Sequence, residues 1–285
     1  MKKTMSLGDS KMKWVLSLVV CFLLAGGTTY GQAEGVPILI YHEILNRAEE
    51  PGETKISLDR FKEQMKYLYE HHYATISVDE LVNFMKGERS IPKKSVLLTF
   101  DDGWKSGLNA VPVLEKYHFK AVFFIFPGKG IGEPYMEWND VLALAKNPRF
   151  QICSHTMSHP WDKQSNLVTW LDGKPVGKDK SDVMYELQES KKELEKRLDK
   201  KVNCFAWPVG WYNEALIEIA KDAGYEALFT AEDGSNTKGG DLLRIKRTFV
   251  DGACNMTIFK QTLQNPKYHV CQTKNRTTQG HSPYD

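Results

Sequence analysis

The sequence predicts an α/β fold, a distorted (β/α) barrel of seven or eight strands. Short apolar runs typical of buried strands alternate along the chain with segments whose apolar residues recur at helical spacing. Strands that alternate with helices form parallel βαβ units. At 285 residues the chain is long enough to build one such domain. In barrels of this type the functional side chains lie at the carboxyl ends of the strands.

Eight apolar runs are predicted to be strands. The first, 36–41, ends at His42, and the central one, 96–100, ends abruptly in two adjacent carboxylates, Asp101 and Asp102. The predicted strands are 36–41, 73–76, 96–100, 121–126, 150–153, 204–206, 227–229 and 242–245.

Seven helical segments are predicted from the spacing of apolar residues and from capping residues. Ser57 is the N-cap candidate for the first, and Ser77 with Glu80 forms a capping box at the start of the second. Residues 160–181 are mostly polar and contain glycine, so the burial of the two tryptophans in them is left open. The predicted helical segments are 61–68, 81–85, 108–114, 138–145, 183–198, 213–223 and 256–263.

Residues 1–31 are predicted to be an export signal or, alternatively, an uncleaved N-terminal membrane anchor. Lysines precede a nearly unbroken apolar run, 14–25, and small and polar residues follow it. The run is shorter than the roughly 20 residues that span a bilayer comfortably, which favours export. The expected location is secreted, periplasmic or associated with the cell envelope. A folded domain is expected over 36–265, followed by a polar C-terminal tail, 266–285.

The charge of the chain excludes one class of partner. The formal net charge is +2, and four of the lysines lie in residues 1–31, so the remaining chain is nearly neutral. A nearly neutral surface gives no electrostatic reason to expect a nucleic-acid partner.

Four cysteines follow residue 31, an even number that permits disulfides in an exported protein. Cys254 and Cys271 flank the last predicted helix and could pair. Cys153 and Cys204 could pair across neighbouring strands or remain buried thiols.

Two pairs of polar residues at strand ends predict a metal site. Asp101 and Asp102 follow one predicted strand, and His155 and His159 follow another. Successive side chains of a strand point to opposite faces, so one carboxylate can bind an ion while its neighbour faces the reacting group. Alone, the carboxylates could cap a helix and the histidines could be surface or core residues. Together they predict a divalent-metal hydrolase site.

Four sequence segments resemble a known family. Thr99-Phe100-Asp101-Asp102-Gly103 and Ser154-His155-Thr156-Met157-Ser158-His159 resemble the first two motifs of polysaccharide deacetylases of the NodB-homology type. Phe205-Ala206-Trp207-Pro208-Val209-Gly210 is similar to the third motif of the branch that acts on poly-N-acetylglucosamine. The opening Pro37-Ile38-Leu39-Ile40-Tyr41-His42 is also similar to that branch. The resemblance covers roughly residues 36–265, which we therefore expect to be the catalytic domain.

The resemblance implies a role for each residue of the first two motifs. Asp102, His155 and His159 would bind a divalent metal ion, and Asp101 would be the general base. Zinc is the expected metal, and cobalt, nickel and iron also suit these ligands. His42 would be the general acid that protonates the leaving amine, with a structural histidine as its alternative.

The third motif is expected to contact the substrate. The resemblance implies that a backbone N–H near Val209 donates to the oxyanion, with Pro208 in the same turn. Trp207 is the best candidate for an apolar face that packs against a sugar ring. For Trp104 and Trp138, core packing is an equal alternative.

The sequence departs from the family pattern at two places that support the site. Many members orient the base with an arginine in the third motif, and that segment contains none here. Many members also supply a late histidine as the acid, whereas Leu242-Leu243-Arg244-Ile245 contains none. The groups that orient the base therefore stay open.

The predicted function is that of a metal-dependent N-deacetylase, which hydrolyses acetamide groups of an N-acetylglucosamine-containing polysaccharide and releases acetate. Its expected partner is an N-acetylated glycan. Two alternatives stay open, namely a hydrolase of non-sugar C–N bonds and a glycan-binding module without turnover.

Overall fold

The computed structural model describes residues 34–128 and 131–271. The predicted signal or anchor at 1–31 and the predicted tail beyond residue 271 lie outside the described residues. Within the described ranges, no helix combines the length and apolar character that a membrane span requires.

Twelve strands and eight α-helices make up the described chain, together with two short 3₁₀ helices. The strands are β1 Ile38–Tyr41, β2 Glu43–Leu45, β3 Lys55–Ser57, β4 Ala74–Thr75, β5 Ser95–Phe100, β6 Ala121–Ile125, β7 Phe150–Ser154, β8 Trp161–Asp162, β9 Ser165–Asn166, β10 Cys204–Ala206, β11 Ala227–Phe229 and β12 Thr248–Phe249. The helices are α1 Leu58–Glu70, α2 Val78–Met85, α3 Val111–Lys116, α4 Trp138–Lys146, α5 Leu167–Leu171, α6 Lys180–Leu198, α7 Glu214–Asp222 and α8 Met256–Gln264. The 3₁₀ helices are Lys105–Ala110 and Pro208–Gly210.

Seven parallel strands form one curled sheet, a half-barrel surrounded by helices. Their order is β11-β10-β7-β6-β5-β1-β12, and β4 pairs with β5 beside this path. The predicted distorted (β/α) barrel is therefore confirmed. Every residue of β5 is buried, as expected for the central strand of a parallel sheet covered on both faces.

The predicted helix starts are confirmed at their caps. Ser57 accepts a hydrogen bond from the backbone N–H of Arg60 at 3.2 Å. The capping box of α2 makes both of its bonds, with the Ser77 N–H donating to the Glu80 carboxylate at 2.8 Å and the Glu80 N–H donating to the Ser77 hydroxyl at 3.2 Å. These local signals therefore fix where α1 and α2 begin.

The predicted last strand at 242–245 is wrong. This stretch begins in a turn, in which the Leu243 N–H donates to the side chain of Asp241, and only Ile245 forms an isolated bridge to β11. The chain then continues to β12, which pairs in parallel with β1. Arg247 therefore lies between Ile245, which contacts β11, and β12, which pairs with β1.

Two disulfides are present among the described residues. Cys153 of β7 bonds to Cys204 of β10, and Cys254 bonds to Cys271. Both pairings open to the sequence are therefore confirmed, and the alternative of buried free thiols is wrong. The second disulfide ties the end of the described chain to the segment that precedes α8.

Candidate active site

The chain turns sharply where β5 ends. Asp101 continues the sheet, because its N–H donates to the Tyr41 carbonyl at 2.8 Å. Asp102 and Gly103 have φ angles of 68° and 69°. A short polar residue tolerates such a φ, whereas a Cβ added to Gly103 would come within 2.8 Å of Ile125. The turn therefore sends the side chains of Asp101 and Asp102 into different environments.

The structure brings the three predicted metal ligands together. The Nε2 atoms of His155 and His159 lie 3.3 and 3.2 Å from Oδ1 of Asp102. Nδ1 of His155 lies 2.8 Å from the carbonyl oxygen of Ala206 in β10, a bond in which the imidazole donates. That bond leaves the lone pair of Nε2 free to face the cluster.

The arrangement fits a divalent metal ion. Oδ1 of Asp102 is buried and has no hydrogen-bond partner among the described residues. A buried carboxylate oxygen without a donor is costly, and a cation shared with two imidazoles would satisfy it. The second oxygen, Oδ2, accepts a hydrogen bond from Nε1 of Trp104 at 3.0 Å. One carboxylate and two histidines leave further coordination positions open, as a catalytic ion requires.

The protonation of these groups also suits a metal. Burial lowers the pKa of His159 to about 4, so this imidazole is neutral near pH 7 and can bind a cation. Burial alone would raise the pKa of Asp102, but the three neighbouring histidines outweigh it and hold that pKa far below its usual value. Asp102 is therefore an ionised carboxylate.

Asp101 is buried and paired with a buried arginine. Its Oδ1 accepts a hydrogen bond from Nη1 of Arg247 at 2.8 Å, and both side chains are nearly inaccessible to solvent. The guanidinium is itself held by the Thr99 hydroxyl at 3.2 Å and by the Thr230 carbonyl, to which Nε donates at 2.8 Å. Burial alone would raise the pKa of Asp101. Arg247 and the nearby histidines lower it by more than burial raises it, so the pKa lies below its usual value and the carboxyl is ionised.

Sequence reasoning missed Arg247. The sequence has no arginine in the third motif, and the structure supplies one from the segment before β12. The local signal is the alternation of Ile245, Arg247 and Phe249 in the sequence, a pattern typical of one face of a strand. That pattern indicates a buried charge only once its carboxylate partner is known.

His42 follows β1 and lies beside the cluster. Its Nε2 is 4.0 Å from Oδ2 of Asp102, and its ring stacks parallel to that of Phe249 with centroids 5.8 Å apart. Nδ1 of His42 is buried without a hydrogen-bond partner among the described residues. The structure thus places His42 near the expected reaction centre, and its role as general acid stays a prediction.

The turn after β10 differs from expectation in the placement of Trp207. The indole is only 1% exposed and packs against Phe205 and Tyr212, with ring centroids 4.8 and 5.9 Å away. It therefore belongs to the core and offers no open face to a sugar. The reason is that β10 continues through it, since the Trp207 N–H donates to the Phe229 carbonyl at 3.1 Å.

The rest of that turn is strained. Pro208 is buried, and Val209 has φ 58° and ψ 4°, a conformation that a β-branched residue rarely adopts. Strain of this kind costs about 1–3 kcal/mol and is often found at functional sites. The oxyanion role of the Val209 N–H stays a prediction.

Trp104 and Trp138, the other two candidates for a sugar-binding face, lie in different environments. Trp138 starts α4, packs partly against the core and lies under the guanidinium of Arg197 at 4.9 Å. Trp104 instead lines a cleft of about 710 Å³ that also contains Asp102 and His159. The cluster is therefore open to a ligand from this side.

Comparison with known proteins identifies the family. Residues 88–228 match the family model described as polysaccharide deacetylase. The putative polysaccharide deacetylase YxkH of Bacillus subtilis (strain 168) is 27% identical over 81% of this chain and 77% of that protein. The poly-beta-1,6-N-acetyl-D-glucosamine N-deacetylase of Escherichia coli (strain K12) is 24% identical over 70% of this chain, which spans 34% of that longer protein.

A solved structure agrees with these relatives. The structure of IcaB from Ammonifex degensii superimposes with a TM-score of 0.68 and 25% identity, covering 82% of this chain and 97% of that chain. The residues that match the family model contain β5 and β7, and the cluster lies just after the ends of these two strands. This chain therefore carries a domain of the polysaccharide deacetylase family, whose members are hydrolases that act on polysaccharides.

Proposed function

We propose that the protein is a metal-dependent N-deacetylase that hydrolyses the acetamide groups of an N-acetylglucosamine-containing polysaccharide. The observation that carries this proposal is the convergence of Asp102, His155 and His159 on one point beside an open cleft that Asp102 and His159 line. The buried, ionised carboxylate of Asp101 is the neighbouring residue. The E. coli relative, named a poly-beta-1,6-N-acetyl-D-glucosamine N-deacetylase, favours this substrate class.

The metal would be held by Asp102, His155 and His159. We propose zinc, and cobalt, nickel and iron are compatible with the same ligands. When bound, such an ion would polarise the acetamide carbonyl and acidify a water molecule.

Asp101 is the proposed general base. Arg247 fixes one of its oxygens and favours its ionised form, so the carboxylate is ready to accept the proton of the attacking water. A positioned base of this kind contributes about 10²–10⁴-fold to a rate. The proton then has to reach the amine that leaves, and His42 is the proposed donor.

When water adds to the acetamide carbon, the carbonyl oxygen becomes an oxyanion, which would be stabilised by a hydrogen-bond donor as well as by a cation. The turn Pro208–Gly210 follows β10, whose Ala206 carbonyl holds His155, so the turn adjoins the ligands. We assign the Val209 N–H to this task. A single donor to an oxyanion is worth about 10²–10³-fold in kcat.

We also propose that the protein acts outside the cytoplasm, with residues 1–31 either cleaved or retained as a membrane tether. Two disulfides in one domain support this location, because structural disulfides persist in oxidising compartments. The proposed partner is a glycan of the cell surface, and no nucleic acid is involved.

Acetate release tests the proposal. The purified protein, stripped of metal and reloaded separately with zinc, cobalt, nickel or iron, is incubated with poly-N-acetylglucosamine, chitooligosaccharides and peptidoglycan. We expect acetate from at least one of these glycans, its loss on chelation and its return with metal. Release from small amides or imides alone would favour a non-sugar C–N hydrolase, and glycan binding without release would favour a binding module.

A further inference from the structure

We propose that Trp161 is a binding platform for a second sugar of the glycan chain, next to the sugar whose acetamide reacts at the cluster. This inference rests on the proposed function. It specifies how the site recognises a polymer in preference to a single sugar.

The exposure of Trp161 is unusual for a tryptophan. Its side chain is 66% exposed, whereas Trp170 is 5% exposed and Trp207 1% exposed. An indole in water leaves a large apolar face uncovered, and clustered exposed apolar groups mark binding surfaces. Six large apolar side chains are exposed among the described residues, and four of them lie between residues 161 and 185. These four are Trp161, Val176, Met184 and Tyr185.

The exposed indole borders the candidate active site. Trp161 comes two residues after His159, and both line the cleft of about 710 Å³ that contains Asp102. Trp104 and Tyr135, whose rings lie 4.6 Å apart, line the same cleft. Its volume is within the range of about 300–1,000 Å³ that encloses drug-sized ligands, which are larger than one sugar ring.

The backbone under Trp161 is braced. β8 and β9 pair Trp161 with Asn166, whose side-chain amide donates to the Asp162 carbonyl at 3.0 Å. Behind this hairpin, Nε1 of Trp170 donates to the Ser165 hydroxyl at 3.0 Å. An aromatic side chain on a fixed base loses little conformational freedom when it binds a ligand. The hairpin therefore fixes the backbone position from which the Trp161 side chain extends.

The chemistry of the ligand follows from these features. A pyranose ring has polar edges and a face of C–H groups, and that face can pack flat on an indole and exclude water from both surfaces. Such a contact requires no charge and no acetyl group. The platform therefore recognises any neutral sugar face of the chain, while the cluster recognises the acetamide.

Chain-length dependence of turnover tests the platform. Acetate release is measured on N-acetylglucosamine oligomers of increasing length with wild type, Trp161→Ala, Trp161→Phe and Tyr69→Ala. Tyr69 is a matched control, because it is 55% exposed at the end of α1 and does not line the cleft. For Trp161→Ala we expect kcat/KM to fall about tenfold on the longest oligomer through a higher KM, with kcat nearly unchanged and little effect on the shortest oligomer. Trp161→Phe should keep most of the affinity, and Tyr69→Ala should behave as wild type.

The alternative results are distinguishable. An equal loss at every length, or no loss at any length, would overturn the platform while leaving the deacetylase proposal in place. Calorimetric binding of the same oligomers to Asp101→Asn, with and without Trp161→Ala, separates binding from turnover. If wild type releases no acetate but binding weakens about tenfold without the indole, the platform stands and the proposed function fails. Absence of both release and binding would overturn both.

Discussion

Asp101 and Asp102 are adjacent in the sequence and lie in opposite environments. The side chain of Asp101 is 5% exposed and is paired with Arg247, whereas that of Asp102 is 16% exposed and faces two imidazoles. The difference arises at the end of β5, where the chain leaves the sheet with a positive φ at Asp102. One sharp turn thus separates the proposed base from the proposed metal ligand, which are neighbours in the chain.

The largest loss of activity is expected when the proposed metal site around Asp102 is disrupted. His155→Ala removes one of the three proposed ligands, so the protein should lose its metal and more than about 10³-fold of its acetate release, since the proposed mechanism depends on the polarising ion. Metal content after dialysis and acetate release are measured together. His71→Ala, at an exposed histidine that ends α1, is the control and should change neither. A metal-free His155→Ala protein with full activity would contradict the assignment of the cluster.

Removing the proposed base, Asp101, should lower activity without removing the metal. Asp101→Asn keeps the shape of the side chain but cannot accept a proton, so acetate release should fall by about 10²–10⁴-fold while the metal content stays equal to that of wild type. The measurement pairs single-turnover acetate release with metal analysis. Loss of metal in this variant would show that the two carboxylates are not separate in function, and unchanged turnover would refute the base.

A smaller effect is expected from the group that holds the base. Arg247→Gln leaves Asp101 buried without its cation, and breaking a buried pair costs about 3–5 kcal/mol of folding free energy. Because Arg247 lowers the pKa of Asp101, its removal raises that pKa, and the base is then protonated at a higher pH. The acidic limb of the kcat/KM profile should therefore move to higher pH, while Arg247→Lys should restore part of the wild-type profile. Urea unfolding and the pH profile measure the two effects, and an unmoved acidic limb in both variants would contradict the role.

The proposed metal ligands could be predicted from the sequence, whereas the arginine that pairs with Asp101 could not. Asp102, His155 and His159 could be placed together because their strands alternate with helices, and parallel strands end at one edge of a sheet. Arg247 could not be placed, because β12 has only two residues and an arginine beside it resembles a surface residue until Asp101 is seen next to it. Its burial depends on a partner 146 positions away in the chain.

The burial of Trp207 and the exposure of Trp161 could not be predicted from the sequence either, because neighbouring residues do not indicate where these side chains point. Trp207 follows a buried strand, and nothing in its neighbours indicates whether the indole continues into the core or turns to the cleft. Trp161 lies on a hairpin of two-residue strands held by the side chain of Asn166, and such strands are too short to show an alternating pattern. Sequence reasoning therefore located the candidate metal ligands and one residue of the cleft wall, Trp104, but misplaced Trp207.

The smallest of these effects is expected at His42, which lies between the two sides. Its Nε2 is 4.0 Å from Asp102, beyond hydrogen-bond reach, so His42→Ala should keep the metal and lower kcat on the glycan by about 10²-fold, the lower end expected for a general acid. A structural histidine stacked on Phe249 would give a different pattern, which His42→Phe tests by keeping an aromatic ring at that place. An acetyl ester with a good leaving group needs no proton donor, so both variants should hydrolyse it at nearly the wild-type rate. Equal losses on ester and glycan, or full rescue by phenylalanine, would return His42 to a structural role and leave the leaving amine without a donor on this side of the cluster.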